Sequence, residues 1–517
     1  MENNIRNLIQ LLDNNGFKSS RRTALVFGAR EIAYSQLISS SKKLASALSG
    51  LGVEKNDKAA LWMPNCPEFV YSFFAILRLG AVVVPINTML KREEAKFMVE
   101  DSGAKILICS ADKSEDSENI LSRLDNLKNM ISLPRPKGRK IFFDFNQLLK
   151  DYSEFDQEVE IDENDLAEIV YTSGTTGKPK GACLSHKNLI SNVKDCAQVI
   201  HFSKKDTMIC VLPLFHSFSS TVCMLLPLYK GAKIVIMRAI RPFKRVLRTI
   251  LKHRVTIFAG VPPIYKILSE AKISFLRRLI NVIINPVRLY ISGAAALPSP
   301  VWRSFEKKFR RPLLQGYGLT EASPVVSLNP LKGRRKPDSI GLAIPSVKVR
   351  VVNKEDKDLS PGQVGELLVK GPNVMQGYYN SEGETKKALK NSWLYTGDLA
   401  RIDEEGFIYI MGRSKDMINV RGFNVYPREI EDLLYKIPYI KEAAVVGVLH
   451  KYRGEVPVAF VVSDKQINEK EIINYLRTNL AAYKIPLKVI AKDGLPKNPT
   501  GKILKRQLQE EIKGIFE

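Results

Sequence analysis

The chain is poor in the features that build secreted, metal-centred or disulfide-framed proteins. Its 517 residues include six cysteines (Cys66, Cys109, Cys183, Cys196, Cys210 and Cys223) with no CxxC pair and no histidine cluster beside them. That scatter fits neither a zinc site nor a disulfide framework and implies a reducing compartment. The stretch MENNIRNLIQLLDNNGFKSSRR has no apolar core of roughly 7–15 residues and no small-residue cleavage site, so no secretory signal is expected. One run lacks charge altogether: Thr207–Tyr229 is 23 residues without Lys, Arg, Asp or Glu. Its two prolines, one histidine and five Ser/Thr argue for a buried strand, loop and helix rather than a membrane span, because proline removes a backbone donor and breaks helix geometry. Acidic residues are scarce too. With 79 Lys+Arg against 54 Asp+Glu the formal net charge is +25, an excess suited to nucleic acid, a negatively charged membrane surface or anionic small molecules.

What is present is an ordinary globular composition, 45% hydrophobic and 26% charged, which excludes disordered and fibrous classes and allows a core without disulfides or structural metal. The length suggests about three structural units. Short β-branched runs alternate with helical stretches. The runs are Lys58–Met63, Ala104–Cys109, Glu168–Thr172, Met208–Leu212, Lys233–Met237, Val255–Ala259 and Arg288–Ser292; the stretches include His186–Ile200, Arg241–His253 and Pro262–Glu270. This predicts α/β architecture with mostly parallel sheets. After about Pro330 glycine, proline and aspartate become frequent, and Val347–Val352 and Gly365–Val369 read as antiparallel strands. From about Ser414 a compact α+β tail follows, with helices at Pro427–Tyr435 and Glu469–Leu480 and strands at Glu442–Val448 and Val456–Val462.

The strongest local pattern is Tyr171-Thr-Ser-Gly-Thr-Thr-Gly-Lys-Pro-Lys-Gly181, directly after the run Glu168–Thr172. Glycines, hydroxyls and two lysines together supply backbone donors and positive charge, which is what a polyphosphate needs. It is not a Walker A loop, because Gly177-Lys178 is followed by proline. In Gln315-Gly-Tyr-Gly-Leu-Thr-Glu321 the glycines let backbone approach a planar ring, and Thr320 with Glu321 offers hard oxygens suited to Mg²⁺. Asp398 of Tyr395-Thr-Gly-Asp398 can accept ribose hydroxyls. Arg413 of Gly412-Arg413-Ser-Lys-Asp416 can clamp a phosphate or ribose. In Pro496-Lys-Asn-Pro-Thr-Gly-Lys502, Gly501 permits a tight turn that projects Lys502. Read singly, the last three are more often a turn Asp, a surface Arg and a basic C-terminus.

In this order, YTSGTTGKPKG, GYGLTE, YTGD, GRSKDMI, GFNVYPREIE and PKNPTGK resemble the motifs of the adenylate-forming superfamily: acyl-CoA synthetases, luciferases and peptide-synthetase adenylation domains. AGVPPIY, SGAAALP, GPNVMQGYY and SWLYTGDLARIDEEGF look most like bacterial long-chain fatty acid–CoA ligases. The resemblance implies an N-terminal domain over residues 1–413, made of two βαβ-type subdomains and a distorted β-barrel. A small mobile α+β domain over 414–517 would carry the catalytic lysine. It also implies ATP, Mg²⁺ and coenzyme A, with a carboxylate attacking the α-phosphate and the thiol then displacing AMP.

By the same resemblance, Thr172, Ser173, Gly174, Thr175, Thr176, Gly177, Lys178 and Lys180 would hold the β- and γ-phosphates, and Thr172 and Glu321 would ligate Mg²⁺. Gly293, Ala294, Ala295, Gln315, Gly316, Tyr317 and Gly318 would surround adenine, with Tyr317 stacked on it and Thr320 beside them. Asp398 would take the ribose hydroxyls with Arg413 assisting, and Lys502 would bridge carboxylate and α-phosphate. Lys415 matches a hinge, Gly422 and Phe423 a pantetheine-facing loop, and His216 the closure of the acyl side. Two positions depart from the fatty acyl relatives: Gly412-Arg413 stands where Asp-Arg is frequent, and Arg421-Gly422 where Gly-Gly is frequent.

Between Thr207 and Phe305 there are fifteen Lys/Arg and one acid, Glu270, which is +14 of the +25. No carboxylate here could pair with a substrate ammonium, whose unpaired burial would be costly, and Leu212–Leu226 is nearly all apolar or hydroxyl. An apolar acid is therefore expected, a medium- to long-chain fatty acid first. Another apolar or aromatic acid, or transfer to an acyl carrier protein, stays open. Arg241–Arg254, with six Lys/Arg in fourteen residues around Val246, Leu247, Ile250 and Leu251, reads as a basic amphipathic helix for an anionic membrane. The expected location is cytoplasmic, peripheral at the inner face of the membrane. No nucleic-acid motif is present, and a homodimer is left open.

Overall fold

The alternating runs become two large sheets, because β-branched residues buried on both faces suit parallel strands covered by helices. The computed structural model describes residues 5–172, 179–271, 285–420, 423–450, 454–498, 501–513 and 515. One sheet has eight strands in the spatial order Gly377–Tyr378, Lys180–Ser185, Leu166–Thr172, Val82–Pro85, Lys58–Trp62, Ile106–Ser110, Asn129–Leu133 and Phe142–Asp144. The other has nine, in the order Leu342–Ala343, Val325–Leu328, Leu313–Gly318, Leu289–Ser292, Ile257–Gly260, Thr207–Cys210, Lys233–Ile236, Thr23–Phe27 and Arg30–Ala33. Both are parallel at the centre and antiparallel towards an edge.

The two sheets share one core. All twelve residues of the helix Pro67–Arg78 are buried, as expected of a helix that is apolar nearly all round. Its one cation is neutralised in place: Arg78 Nη1 donates to Asp13 at 2.9 Å and Nε to Ser41 at 3.0 Å. The uncharged run divides as expected. It gives the strand Thr207–Cys210, a loop, and a helical segment over Ser217–Tyr229 whose middle, Ser220–Leu225, is π-helical. Among the described residues no helix is long and apolar enough to cross a membrane.

Two strands start two residues later than the sequence suggests, at Ile106 and at Ile257. Val255 donates its N–H to the Ile250 carbonyl at 3.0 Å, after Arg254 takes a left-handed turn at φ 52°. Val255 therefore completes the C-terminal cap of the helix Phe243–His253, and the strand begins at Ile257. On that helix the apolar residues divide: Val246 and Ile250 are buried, whereas Leu247 and Leu251 are 45% and 49% exposed among the basic side chains.

The antiparallel part is a five-stranded sheet of Lys348–Val352, Gly365–Lys370, Trp393–Ile402, Leu389–Lys390 and Ile408–Arg413. It ends at Arg413. Beyond the turn Ser414–Asp416, Ile418, Val420, Ile430, Val445 and Ile472 belong to a separate small core.

Candidate active site

The strongest motif is flanked by the antiparallel strands Leu166–Thr172 and Lys180–Ser185, in which Thr172 lies opposite Lys180. Ser173, Gly174, Thr175, Thr176, Gly177 and Lys178 lie outside the described residues, as does Gly422. The flanking pair opens onto a cavity of about 760 Å³ at the carboxyl ends of the central strands, the usual ligand position in an open α/β sheet. Its wall brings together Thr172, Lys180, His216, Gly293, Ala294, Gly316, Tyr317, Gly318, Thr320, Glu321, Arg413 and Lys502.

Asp398 is fixed by its own strand. Gly397 sits at φ 68°, where a Cβ is penalised. Thr396 Oγ1 donates to the Leu367 carbonyl at 2.7 Å and accepts the Asp398 N–H at 3.1 Å. Across the ladder Asp398 faces Arg413, whose Nε meets Oδ1 at 3.0 Å, while the Tyr317 hydroxyl donates to Oδ2 at 2.5 Å. The Asp398 charge raises the Arg413 pKa, and burial followed by that same charge raises the Tyr317 pKa. The glycines flanking Tyr317 have a reason the sequence reading did not give. A Cβ on Gly318 would stand 2.2 Å from the Pro324 carbonyl oxygen, and one on Gly316 2.9 Å from that of Ser327. The returning strand Val325–Leu328, not only a ligand ring, requires them.

Lys180 is not a free cation facing the cavity. It is ion-paired with Glu384, on the helix Glu382–Ala388, and its Nζ lies 5.4 Å from the centre of the Tyr378 ring. The Lys180 hydrogen bond is the chief reason the Glu384 carboxyl falls to about 2. The Tyr378 hydroxyl donates to Glu321 Oε1 at 2.8 Å. Tyr378 and Glu384 were missed from sequence, since no local pattern links them to residues so distant along the chain.

His216 caps the segment that follows it: its Nδ1 accepts the Phe218 N–H at 3.2 Å. That bond requires an unprotonated Nδ1, and burial pushes the imidazole down to about 4, so the ring is neutral with its proton on Nε2. Ala294 has φ 66°, an uncommon conformation outside glycine and one that clusters at functional sites. Lys502 follows a turn in which Gly501, at φ 82°, donates to the Asn498 carbonyl at 2.9 Å. Solvent reaches Lys502 through the cavity, but protein surrounds it closely enough that burial, and then the Arg413 charge, lowers its pKa.

Five described residues expected at the site do not line the cavity, Asp398 among them, although its partners Arg413 and Tyr317 do. Neither Ala295 nor the buried Gln315 borders it; Lys415 lies exposed in the turn after Arg413; Phe423 is 57% exposed and stacks on Tyr483 with ring centres 4.7 Å apart. Among the described residues no group of three or more His, Cys, Asp or Glu could hold a metal by itself. Thr172 and Glu321 nevertheless share the cavity wall. A hydroxyl and one carboxylate are the kind of hard donors that complete Mg²⁺ already bound to substrate phosphates.

The cavity is nucleotide-sized and bordered by hydroxyl, lysine, arginine and carboxylate groups. Residues 12–379 match the family model described as AMP-binding enzyme, and residues 429–502 match AMP-binding enzyme C-terminal domain. The chain is 34% identical to a long-chain-fatty-acid–CoA ligase of Bacillus subtilis, over 98% of this chain and 94% of the relative. It matches ATP-bound MatB from Rhodopseudomonas palustris with a TM-score of 0.91 and 32% identity, covering 99% of this chain and 100% of that one. It also matches O-succinylbenzoate coenzyme A synthetase of B. subtilis, in complex with ATP and magnesium, with a TM-score of 0.84 and 30% identity, covering 96% and 99%. The chain belongs to the AMP-binding enzyme family, in its branch of adenylate-forming acyl-CoA ligases.

Proposed function

We propose that this ligase activates a medium- to long-chain fatty acid. ATP, Mg²⁺ and coenzyme A are its cofactor set. A carboxylate oxygen of the acid forms a bond to the α-phosphorus as the bond to pyrophosphate breaks; the coenzyme A sulfur then bonds to the acyl carbon as AMP leaves. Lys502 bridges the carboxylate and α-phosphate, drawing together two anions that would otherwise repel. Lys180, released from Glu384, and the loop Ser173–Lys178 take the β- and γ-phosphates. Asp398 takes the ribose hydroxyls with Arg413 behind it, and Tyr317 stacks on adenine beside Gly293, Ala294 and Ala295. Thr172 and Glu321 hold magnesium, which when bound supplies neutralisation of phosphate charge. His216 closes the acyl side. The domain boundary falls between Arg413 and Ser414, with Lys415 at the hinge, and Gly422 and Phe423 meet pantetheine after the C-terminal domain turns.

The observation that carries the substrate reading is the wall of the cavity beyond the nucleotide groups. Cys196, Ile200, Phe218, Val222 and Leu226 line it. Each carboxylate bordering the cavity already has a protein donor: Glu94 the Lys91 N–H, Glu321 the Tyr378 hydroxyl, Glu366 the Gly397 N–H and Glu384 Lys180. None of those five wall residues is acidic, so an ammonium group seated against them would have no counter-ion, whereas an alkyl chain gains about 0.8 kcal/mol per buried methylene. Acid-dependent pyrophosphate release, measured with and without coenzyme A across saturated and aromatic acids, tests this. Rates that rise with chain length support the reading, and a preference for aromatic acids overturns it.

Access from a lipid surface belongs to the same reading. Leu247 and Leu251, exposed among Lys244, Arg248 and Lys252, fit the headgroup region of an anionic bilayer. Sedimentation with anionic but not neutral liposomes is expected; equal binding to both rejects membrane docking.

A further inference from the structure

The helix Pro262–Glu270 has two faces. Pro262, Ile264, Tyr265 and Leu268 are buried against the N-terminal body. Pro263, Lys266 and Glu270, spaced three and four residues apart, share the other side, and each meets the C-terminal domain. Lys266 Nζ donates to the Lys441 main-chain carbonyl at 2.5 Å, and Glu270 Oε1 lies 3.4 Å from Lys441 Nζ. A Cβ on Gly501 would stand 3.0 Å from Pro263 Cγ, so the turn that presents Lys502 rests on this helix.

Lys441 is therefore held at both its carbonyl and its ammonium by one helix face. The ammonium is also held by Asp464 at 2.6 Å within its own domain. The hold extends to the catalytic turn, because the neighbouring Glu442 is ion-paired with Lys497, which begins that turn. Lys266 is half-buried and surrounded by this junction. Its hydrogen bond to a carbonyl is one that would have to be exchanged for water whenever the domains part.

We propose that Pro263, Lys266 and Glu270 form a latch that holds the C-terminal domain in the arrangement that places Lys502 in the cavity, making Lys266 and Glu270 positioning residues for adenylation but not for thioester formation. This rests on the reading that Lys502 serves the first half-reaction and that its domain turns for the second. None of the three residues touches the reacting atoms. Their effect is on how often the lysine is in place, which sets the rate of adenylation and leaves the second half-reaction free of the constraint.

The two half-reactions separate the alternatives in the full-length enzyme. For Lys266→Met, acid-dependent exchange of labelled pyrophosphate into ATP is expected to fall roughly tenfold, the scale set by losing a hydrogen bond to a charged donor. Thioester formation from supplied acyl-adenylate and coenzyme A is expected to stay at or above the wild-type rate. Lys266→Arg keeps a donor for the Lys441 carbonyl and should restore most of the exchange. Glu270→Lys, which sets like charges together, should repeat the Lys266→Met pattern without depending on the same side chain. Equal loss of both half-reactions, or exchange unchanged in both Lys266→Met and Glu270→Lys, overturns the latch. Lys502→Ala run alongside keeps the two ideas apart: if it abolishes exchange while the latch variants do not, only the latch fails; if it spares exchange, the reading beneath it fails.

Discussion

The Tyr317 hydroxyl donates to one oxygen of Asp398 at 2.5 Å, and Arg413 Nε meets the other at 3.0 Å. The carboxylate assigned to the ribose is thus already satisfied on both sides. A ribose hydroxyl gains only by displacing or sharing one of these partners, and the tyrosine is the neutral one. Asp398→Asn should raise the KM for ATP at least tenfold, since hydrogen bonds to charged groups are worth roughly 1.5–3 kcal/mol. Tyr317→Phe, which keeps the ring for stacking, should change it less than about threefold, whereas Tyr317→Ala should cost about 1–3 kcal/mol of base stacking. Steady-state kinetics across an ATP series checks this; comparable defects in Phe and Ala variants would show that the hydroxyl, not the ring, carries binding.

Lys502 stands in the cavity with its pKa lowered by burial and by Arg413. A lysine so placed is poised to gain from an incoming anion. Lys502→Ala should slow adenylation by a factor of roughly 10²–10³ and leave thioester formation from supplied acyl-adenylate within about twofold, the difference being well under 1 kcal/mol. Single-turnover measurements of each half-reaction decide; a parallel loss in both counts against the role.

Glu168 is a buried carboxyl in the strand that leads to the phosphate loop, 1% exposed, and burial raises it to about 8 from the ordinary 4.5. The folded state therefore keeps a proton that the unfolded chain has already released. Its contribution is intact below about 4.5 and is lost as pH rises through 8. Glu168→Gln, which cannot ionise, should match the wild type in Tm near pH 5 and exceed it increasingly towards pH 8.5, where the underlying stability difference approaches roughly 5 kcal/mol. Parallel Tm–pH curves for the two proteins would exclude this origin.

Gly318→Ala tests whether the GYG motif is structural as well as functional. Its Cβ would meet the Pro324 carbonyl oxygen at 2.2 Å, a backbone atom that cannot move aside without shifting the strand Val325–Leu328. A loss of roughly 2–3 kcal/mol is expected from overpacking, seen as a lower urea midpoint even without nucleotide. Unchanged stability with impaired ATP binding would assign the glycine to the ligand alone.

The uncharged run Thr207–Tyr229 shows how far local sequence reaches. Two prolines and five Ser/Thr were enough to read a buried strand, loop and helix. They did not reveal that the middle of the helix is π-wound and that Val222 and Leu226 line the cavity. Strand and helix positions followed from periodicity, but their ends are displaced by up to two residues, at Val255 because a helix cap intervenes. The basic helix was legible, but which of its four apolar residues face outward was settled only by what lies beneath Val246 and Ile250.

Thr172, Glu321, Asp398, Arg413 and Lys502 could be named as candidates from the chain because their motifs, in this order, resemble those of the adenylate-forming superfamily. Their partners could not. Glu384 against Lys180, Tyr378 against Glu321 and Lys266 against the Lys441 carbonyl join residues that no spacing rule connects, and hydrogen-bond geometry exists only once the strands are in register. The sequence by itself determined the α/β class, the order of motifs and which groups are candidates for the chemistry, since these depend on residue type and short-range pattern. Tertiary structure alone decided which charge neutralises which and which glycines the backbone itself requires. It also decided where the C-terminal turn rests, because each of these depends on distances of a few ångströms between segments far apart in the chain.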